Sequence, residues 1–381
     1  MDKKTLISNT QELFKSKFNC KPIVTSTAPG RINLIGEHLD YNNGAAIPCG
    51  INRWVCVCIS KRDDSEIVIY SDELESEIET NLELNCKSEE LWHKYVLGSL
   101  KVFKEKYELN KGLNIFIKST VPIGAGLSSS AALEVSLISA YFQIFNIEID
   151  KIKIAKLSQQ IEHKHLLIKS GLLDQLSCLF SKQEHLLYID FKDNSFEYIK
   201  NNIENGTFVI INSMVKRSLA SSKYIDRVNE CSQGYQILKT NRIENISQSD
   251  LDKLINYPVI QKRFKHIISE YKRTQLMLKY LMNNNLDSAG KLLLESHLSL
   301  KNDYEVSCDE IDFLIDQSLN FPGWYGGRIM GGGFGGCTIN LVDKKVADQY
   351  IERLKNIYNN QFKIEPDCYN LKIVEGAMIE S

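Results

Sequence analysis

Apolar positions along the chain alternate between two periods. Leu6, Leu13 and Phe14 recur at helical spacing and predict a short amphipathic helix near the N-terminus. Alternating apolar residues predict strands at 23–27, ended by Pro29-Gly30, and at 54–60 and 67–71, the last two joined by the charged turn Lys61-Arg62-Asp63-Asp64. A helical period covers 91–107 and a strand 113–118. A Pro- and Gly-containing loop then leads into a long apolar helix over 129–145. Asp150 stands where an N-cap belongs, ahead of a helix running towards His165. A shorter helix beginning near Gly171 carries Leu172, Leu176 and Leu179, and a strand follows at 186–189. After about Asn194 the texture becomes more polar. A strand is predicted at 208–212, helical period dominates 250–320, and a glycine run follows. A strand near 338–342, a helix near 346–358 and a last strand at 371–374 complete the reading. The change of texture near 195–205 predicts two domains, 1–200 and 201–381. The class is α+β, because strands and helices mix without a regular parallel βαβ rhythm.

Composition narrows the function classes. At 381 residues the chain exceeds one ordinary core. With 43% hydrophobic and 25% charged residues it has the balance of a soluble globular protein. Lys and Arg total 46 against 48 Asp and Glu, with no long basic stripe, so no nucleic-acid partner is expected. Any anion site must then be local, built from backbone dipoles and a few cations. The ten cysteines are scattered and form no C-x-x-C pair, so zinc or thioredoxin-like chemistry is not expected and free thiols in a reducing cytoplasm are. The first ten residues lack an apolar signal core, and no run approaches the roughly 18 apolar residues of a membrane span. A cytoplasmic protein with no membrane partner is the expectation.

Four segments carry candidate chemistry. The first is Pro122-Ile123-Gly124-Ala125-Gly126-Leu127-Ser128-Ser129-Ser130-Ala131, between a strand and a long helix. Gly124 and Gly126 permit positive φ and close approach to a ligand. The helix behind them offers unpaired N–H groups and the positive end of its dipole, and three serines add hydroxyls. Together these suit a polyphosphate. The Lys of a Walker A motif is absent, so charge must be met by Mg²⁺ and other residues. A strand–helix turn with a serine N-cap gives the same pattern without function. The second segment runs over 31–42 and packs Arg31, Glu37, His38 and Asp40 among Ile32, Leu34, Ile35 and Leu39. Carboxylates accept from sugar hydroxyls and imidazole can donate or accept, so this set suits a polyhydroxylated ligand. A charged surface loop is the alternative, weakened by the interleaved apolar residues. The third is Gly171-Leu172-Leu173-Asp174-Gln175, where Asp174 either caps a helix, pairs with a cation, or serves chemistry with a partner such as Arg31. The fourth is Gly331-Gly332-Gly333-Phe334-Gly335-Gly336-Cys337, a flexible loop or a tight one closing over a site; composition leaves both open.

Taken together, the four segments resemble the galactokinase branch of the GHMP kinases over almost the whole chain. Residues 31–42 resemble its signature G-R-[VI]-N-[LI]-I-G-E-H-T-D-Y-N, 122–131 its P-x-x-x-G-L-S-S-S-A motif, and 331–337 its G-G-G-F-G-G-C motif. Residues 92–98, 160–175, 213–231 and 296–312 agree in order. The resemblance implies an N-terminal domain like ribosomal S5 domain 2, a ferredoxin-like C-terminal domain, and an active site in the cleft between them. It implies transfer of the ATP γ-phosphoryl group to the C1 hydroxyl of galactose, with ATP and Mg²⁺ required, by a chain acting as a monomer. It aligns Asp174 with the catalytic aspartate and Arg31 with its partner, and Glu37, His38, Asp40, Gly171 and Tyr224 with sugar contacts. Gly124, Gly126, Leu127 and Ser128–Ser130 align with the nucleotide loop, Trp92 and Tyr95 with the adenine pocket, and Ser130 and Glu162 with Mg²⁺ ligands. Two departures stand out. Leu39 replaces the usual Thr beside the sugar contacts, which implies a shifted sugar preference, and Ser170-Gly171-Leu172-Leu173-Asp174 replaces C-G-I-M-D. A kinase for N-acetylgalactosamine, arabinose or galacturonate, and a non-catalytic galactose and ATP sensor, are the alternatives; the intact serine run with Asp174 and Arg31 favours an enzyme.

Overall fold

The computed structural model describes residues 1–86, 88, 90–215 and 220–380, and the side chains of all of these except 220 and 221. Residues 216–219, within the 213–231 resemblance, lie outside the described residues. The chain opens with α1 (Lys3–Phe18), whose N-terminus is capped by the Asp2 carboxylate accepting from the Thr5 N–H. Its apolar face buries Leu6 and Phe14 but leaves Leu13 exposed, so the expected trio does not share one face.

β1 (Val24–Asn33), β2 (Ala45–Ala46), β3 (Pro48–Lys61), β4 (Glu66–Ser71) and β5 (Ser76–Asn81) follow, then α2 (Leu91–Lys104) and β6 (Leu113–Ser119). Contrary to the sequence expectation, β1 does not stop at Pro29-Gly30. It runs on past an irregularity there, with Arg31 opposite Gly50 in β3. Proline is tolerated because a bulge removes the need for its missing donor. This correction matters, because it makes Arg31 a strand residue rather than a loop residue.

α3 (Ser129–Ile144) and α4 (Lys151–Ile161) follow, α4 capped by Asp150 as expected. A π-turn (Glu162–Leu166) ends α4, and α5 (Leu173–Phe180), β7 (His185–Asp190) and β8 (Ser195–Lys200) come next. The second half comprises β9 (Gly206–Asn212), α6 (Ala220–Leu238), α7 (Gln248–Lys253), α8 (Pro258–Met282), α9 (Leu286–Asn302), α10 (Asp309–Ser318), β10 (Trp324–Met330), β11 (Cys337–Asp343), α11 (Ala347–Phe362), β12 (Asp367–Asn370) and β13 (Met378–Glu380). The patterning left β2, β5, β8, α6 and β10 uncalled. It also misplaced the final strand: residues 371–374 make only an isolated bridge from Ile373 to Ile51, and the strands lie on either side of them.

The first sheet has the order β13-β1-β3-β6-β4-β5, with β4 and β6 parallel and its other pairs antiparallel. The second has the order β10-β11-β9-β12 and is antiparallel. With helices between β9 and β10 and between β11 and β12, that order is ferredoxin-like. A small sheet, β2-β7-β8, sits beside them. The α+β expectation holds.

The largest apolar cluster lines one face of the first sheet beneath α2, α3, α4 and α5, and continues into β9, β11, α8 and α9. α1 covers the other face, over Trp54, Cys56, Cys58 and Phe116. The two halves therefore share a core, and β13 returns the C-terminus to the first sheet beside β1. Among the described residues no helix is long and apolar enough to cross a membrane.

Candidate active site

β1 delivers Arg31 to the centre of the molecule. Its side chain is almost fully buried, and every polar contact it makes is to a predicted site element. Nε donates to Asp174 Oδ1 at 2.8 Å and Nη2 approaches the same oxygen at 2.6 Å. Nη1 donates to the Gly126 carbonyl at 2.6 Å. The Ser128 hydroxyl donates to the other carboxylate oxygen, Oδ2. One guanidinium thus ties the first turn of α5 to the turn preceding α3. Burial works against the Arg31 charge, but Asp174 and Glu37 outweigh it and raise its pKa further.

The turn itself is a strained one. Gly124 and Gly126 have φ of 75° and 74°, and Ser128 also has positive φ, at 58°. At Gly126 a Cβ would come within 3.2 Å of the Met330 carbonyl, because the glycine loop after β10 packs against this turn. The turn before α3 and the loop before β11 therefore approach each other through backbone, which decides the open question about the glycine run in favour of a tight, packed loop.

Two cavities meet at the Arg31–Asp174 pair. One, of about 190 Å³, is lined by all the residues expected at the sugar: Glu37, His38, Asp40, Gly171 and Tyr224, together with Glu162. The other, of about 600 Å³, takes in Trp92, Tyr95, Gly124, Gly126 and Ser128 to Ser130. Arg31, Asp174, Gly331 and Gly332 line both. Leu127 is in the apolar core instead, and its carbonyl accepts from the Arg31 N–H at 3.0 Å. Of the serines, Ser128 is turned to Asp174, while Ser129 and Ser130 remain at the helix terminus.

In the smaller cavity Gly171 is held against Asp40 so closely that a Cβ would lie 2.2 Å from Asp40 Oδ2. Any other residue there would have to displace the Asp40 side chain. Burial, and then the neighbouring Asp174, push the Asp40 carboxyl up to about 7. Glu162 begins the π-turn after α4, a backbone irregularity often found at functional sites. It too is pushed up to about 7 by burial, against a hydrogen bond from the Ser170 hydroxyl. Behind it lies fully buried Glu134 of α3, whose carboxyl is driven far up by burial and by Glu162. Gln175 Nε2 stands 3.3 Å from an oxygen of each, and Glu134 Oε1 has no partner among the described residues. His38 is buried, driven well below the ordinary imidazole range by burial, and its Nε2 has no partner among the described residues.

The second half grips the sugar-side loop from behind. Arg328 of β10 is fully buried. It donates to the carbonyls of Asn33 (2.6 Å) and Leu34 (2.9 Å) and to Glu37 Oε2 (2.8 Å). Glu37 also accepts from Asn33 Nδ2 and the Gly331 N–H, each at 2.5 Å. Glu270 of α8 accepts from the N–H groups of Gly36 (3.0 Å) and Glu37 (3.4 Å), from Ser296 and from Arg273. Sequence reading missed Arg328, Glu270, Glu134 and Gln175. Only the position of Arg328 just before the glycine run hinted at a role. Leu39, expected to shift the sugar preference, points away from the cavity. It is fully buried in the apolar cluster of Phe264, Leu300 and Ile329.

Two glycine-bearing loops back to back, a buried Arg–Asp pair between a polar pocket and a helix-terminus pocket, and a ferredoxin-like second sheet define the GHMP kinase class. The chain matches the family described as GHMP kinases N terminal domain over residues 94–182 and GHMP kinases C terminal over 277–360. Residues 12–61 match the galactokinase galactose-binding signature. It is 36% identical to a galactokinase of Thermosipho africanus, over 92% of this chain and 98% of that one. Identity to a galactokinase of Staphylococcus saprophyticus is also 36%, over 98% and 99%. The crystal structure of Lactococcus lactis galactokinase complexed with galactose superposes with a TM-score of 0.92 at 31% identity, covering 97% of this chain and 99% of that one. The chain belongs to the galactokinase family, and with it to the sugar kinases.

Proposed function

We propose that the protein transfers the γ-phosphoryl group of ATP to the C1 hydroxyl of D-galactose. The observation that carries this reading is the Arg31–Asp174 pair at the junction of the two cavities, reachable from both. The smaller cavity holds acceptors and a donor suited to sugar hydroxyls. The larger one ends on a helix N-terminus suited to phosphates, with Trp92 and Tyr95 on its wall.

In this reading Asp174 accepts the C1 hydroxyl proton or orients that hydroxyl for attack. Arg31 occupies Oδ1 twice, while Oδ2 keeps one lone pair beyond the one used by Ser128. Arg31 fixes the carboxylate in place and meets charge on the transferring group. Phosphoryl transfer has a loose transition state, so fixed position and charge supply most of the acceleration. The carboxylates Asp40, Glu134, Glu162 and Asp174 face or underlie the cavities with Arg31 as the guanidinium among them. Among the described residues no group of three or more His, Cys, Asp or Glu side chains could hold a metal ion by itself, which suits Mg²⁺, a cation that takes one or two carboxylates and completes its shell with phosphate oxygens and water. Ser130 and Glu162 would hold Mg²⁺, which would supply neutralisation of phosphate charge. The same reading divides the chain near residue 200 and places it in a reducing cytoplasm.

The test is ADP release from Mg-ATP with galactose, N-acetylgalactosamine, arabinose and galacturonate in parallel. Galactose should give the highest kcat/KM, and Asp174→Asn should lower kcat by about 10²–10⁴ while ATP still binds. A faster turnover with another sugar, or a near-normal Asp174→Asn, would overturn the assignment.

A further inference from the structure

The His38 imidazole lies at the end of a chain of neutral groups that no part of the reaction explains. His38 Nδ1 is 2.9 Å from the Tyr41 hydroxyl. The Tyr41 hydroxyl is 2.9 Å from that of Tyr304, and the Tyr304 hydroxyl is 3.2 Å from Cys231 Sγ. Tyr304 follows α9 and Cys231 lies in α6, so two elements of the second half reach a residue of the sugar-side loop. Tyr304 is fully buried and its ring lies between two imidazoles, with centroids 4.6 Å from His38 and 4.6 Å from His266. Its backbone is held as well, the carbonyl accepting from Arg227 Nε at 2.7 Å. At the other end, His38 Nε2 is buried, without a partner among the described residues, on a residue lining the small cavity.

Each hydroxyl in such a chain carries one proton, so fixing one bond fixes the direction of all. A phenol O–H is the better donor and an imidazole nitrogen the better acceptor, so the strongest arrangement has Tyr41 O–H donating to His38 Nδ1. Tyr304 O–H then donates to the Tyr41 oxygen, and the Cys231 thiol to the Tyr304 oxygen. Burial keeps His38 neutral, so its single proton is on Nε2. We propose that Tyr304, with Tyr41 and Cys231, is a positioning unit that fixes the His38 tautomer, so that Nε2–H faces the sugar as a donor to one hydroxyl oxygen. This deepens the galactose reading above and rests on His38 contacting the sugar.

The experiment is calorimetric binding of galactose, its 2-, 3-, 4- and 6-deoxy forms and the matching deoxyfluoro forms to the full-length protein. Wild type, Tyr304→Phe and His38→Ala are compared. A C–F group accepts weakly and cannot donate. At the position His38 serves, wild type should therefore keep more affinity for the fluoro sugar than for the deoxy sugar. Tyr304→Phe should weaken galactose by roughly fivefold, the worth of one neutral hydrogen bond, weaken that fluoro sugar by less, and leave that deoxy sugar unchanged. An equal loss for every sugar would make Tyr304 merely structural and end the proposal, as would no loss at all. If His38→Ala changes no sugar's affinity, the sugar contact itself fails and the galactose site must be redrawn. Ring ¹⁵N NMR of wild type reads the tautomer without any variant: a proton on Nε2 supports the relay, and one on Nδ1 overturns it.

Discussion

At the residue scale, the site is governed by carboxyls whose surroundings favour the protonated form. Asp40 has an unfolded pKa of about 3.9 and sits at about 7 in the ligand-free fold. The ionised form, which the proposed function uses to accept a sugar hydroxyl, therefore grows as pH rises through about 7. Galactose affinity should increase between about pH 6 and 8, and Asp40→Asn should abolish the slope along with much of the affinity. Calorimetry across that range checks both. Gly171→Ala should weaken galactose more than ATP, because its Cβ would displace the Asp40 carboxylate it touches. A KM change confined to ATP would contradict this.

At the element scale, the decisive contacts join β10 and α8 to the loop after β1. Arg328 satisfies two carbonyls and one oxygen of Glu37, all buried. Arg328→Met would leave Glu37 with a buried charge short of a partner, a loss of about 3–5 kcal/mol in such pairs. We expect a marked drop in Tm. In the protein that remains folded, the galactose KM should rise far more than the ATP KM. Arg328→Lys, which keeps the charge and loses the fork, should fall between the two. A variant with wild-type Tm and galactose KM would show that the loop holds itself.

At the scale of the whole molecule, the seam between the halves carries buried neutral imidazoles. Burial, offset in part by Glu270, brings His266 down to about 4, against about 6.5 unfolded. A histidine kept neutral by the fold contributes stability that is present above about 6.5 and is lost as pH falls towards 4. The raised carboxyls of Asp40 and Glu162 act with the opposite sign over much of that window, so the wild-type curve alone does not isolate His266. The difference between wild type and His266→Asn does. Their denaturation free energies should converge on acidification, by about 1.4 kcal/mol per pH unit between about 6.5 and 4. Parallel curves would mean that His266 does not titrate with unfolding.

The local character of each segment was set by sequence alone: the α+β mixture, the glycine–serine turn before α3 and the Asp150 cap. Those features depend on neighbours a few residues apart, where patterning and turn chemistry act. What only the tertiary structure decided depends on partners far along the chain. β1 continues through Pro29-Gly30 because β3 pairs with it, and Leu39 turns from the sugar because α8 and α9 bury it. Residues 371–374 remain irregular while β13 pairs with β1. Arg328 and Tyr304 gain their roles from the loop they meet 263 to 291 positions away, and no local pattern encodes which buried polar group will answer which.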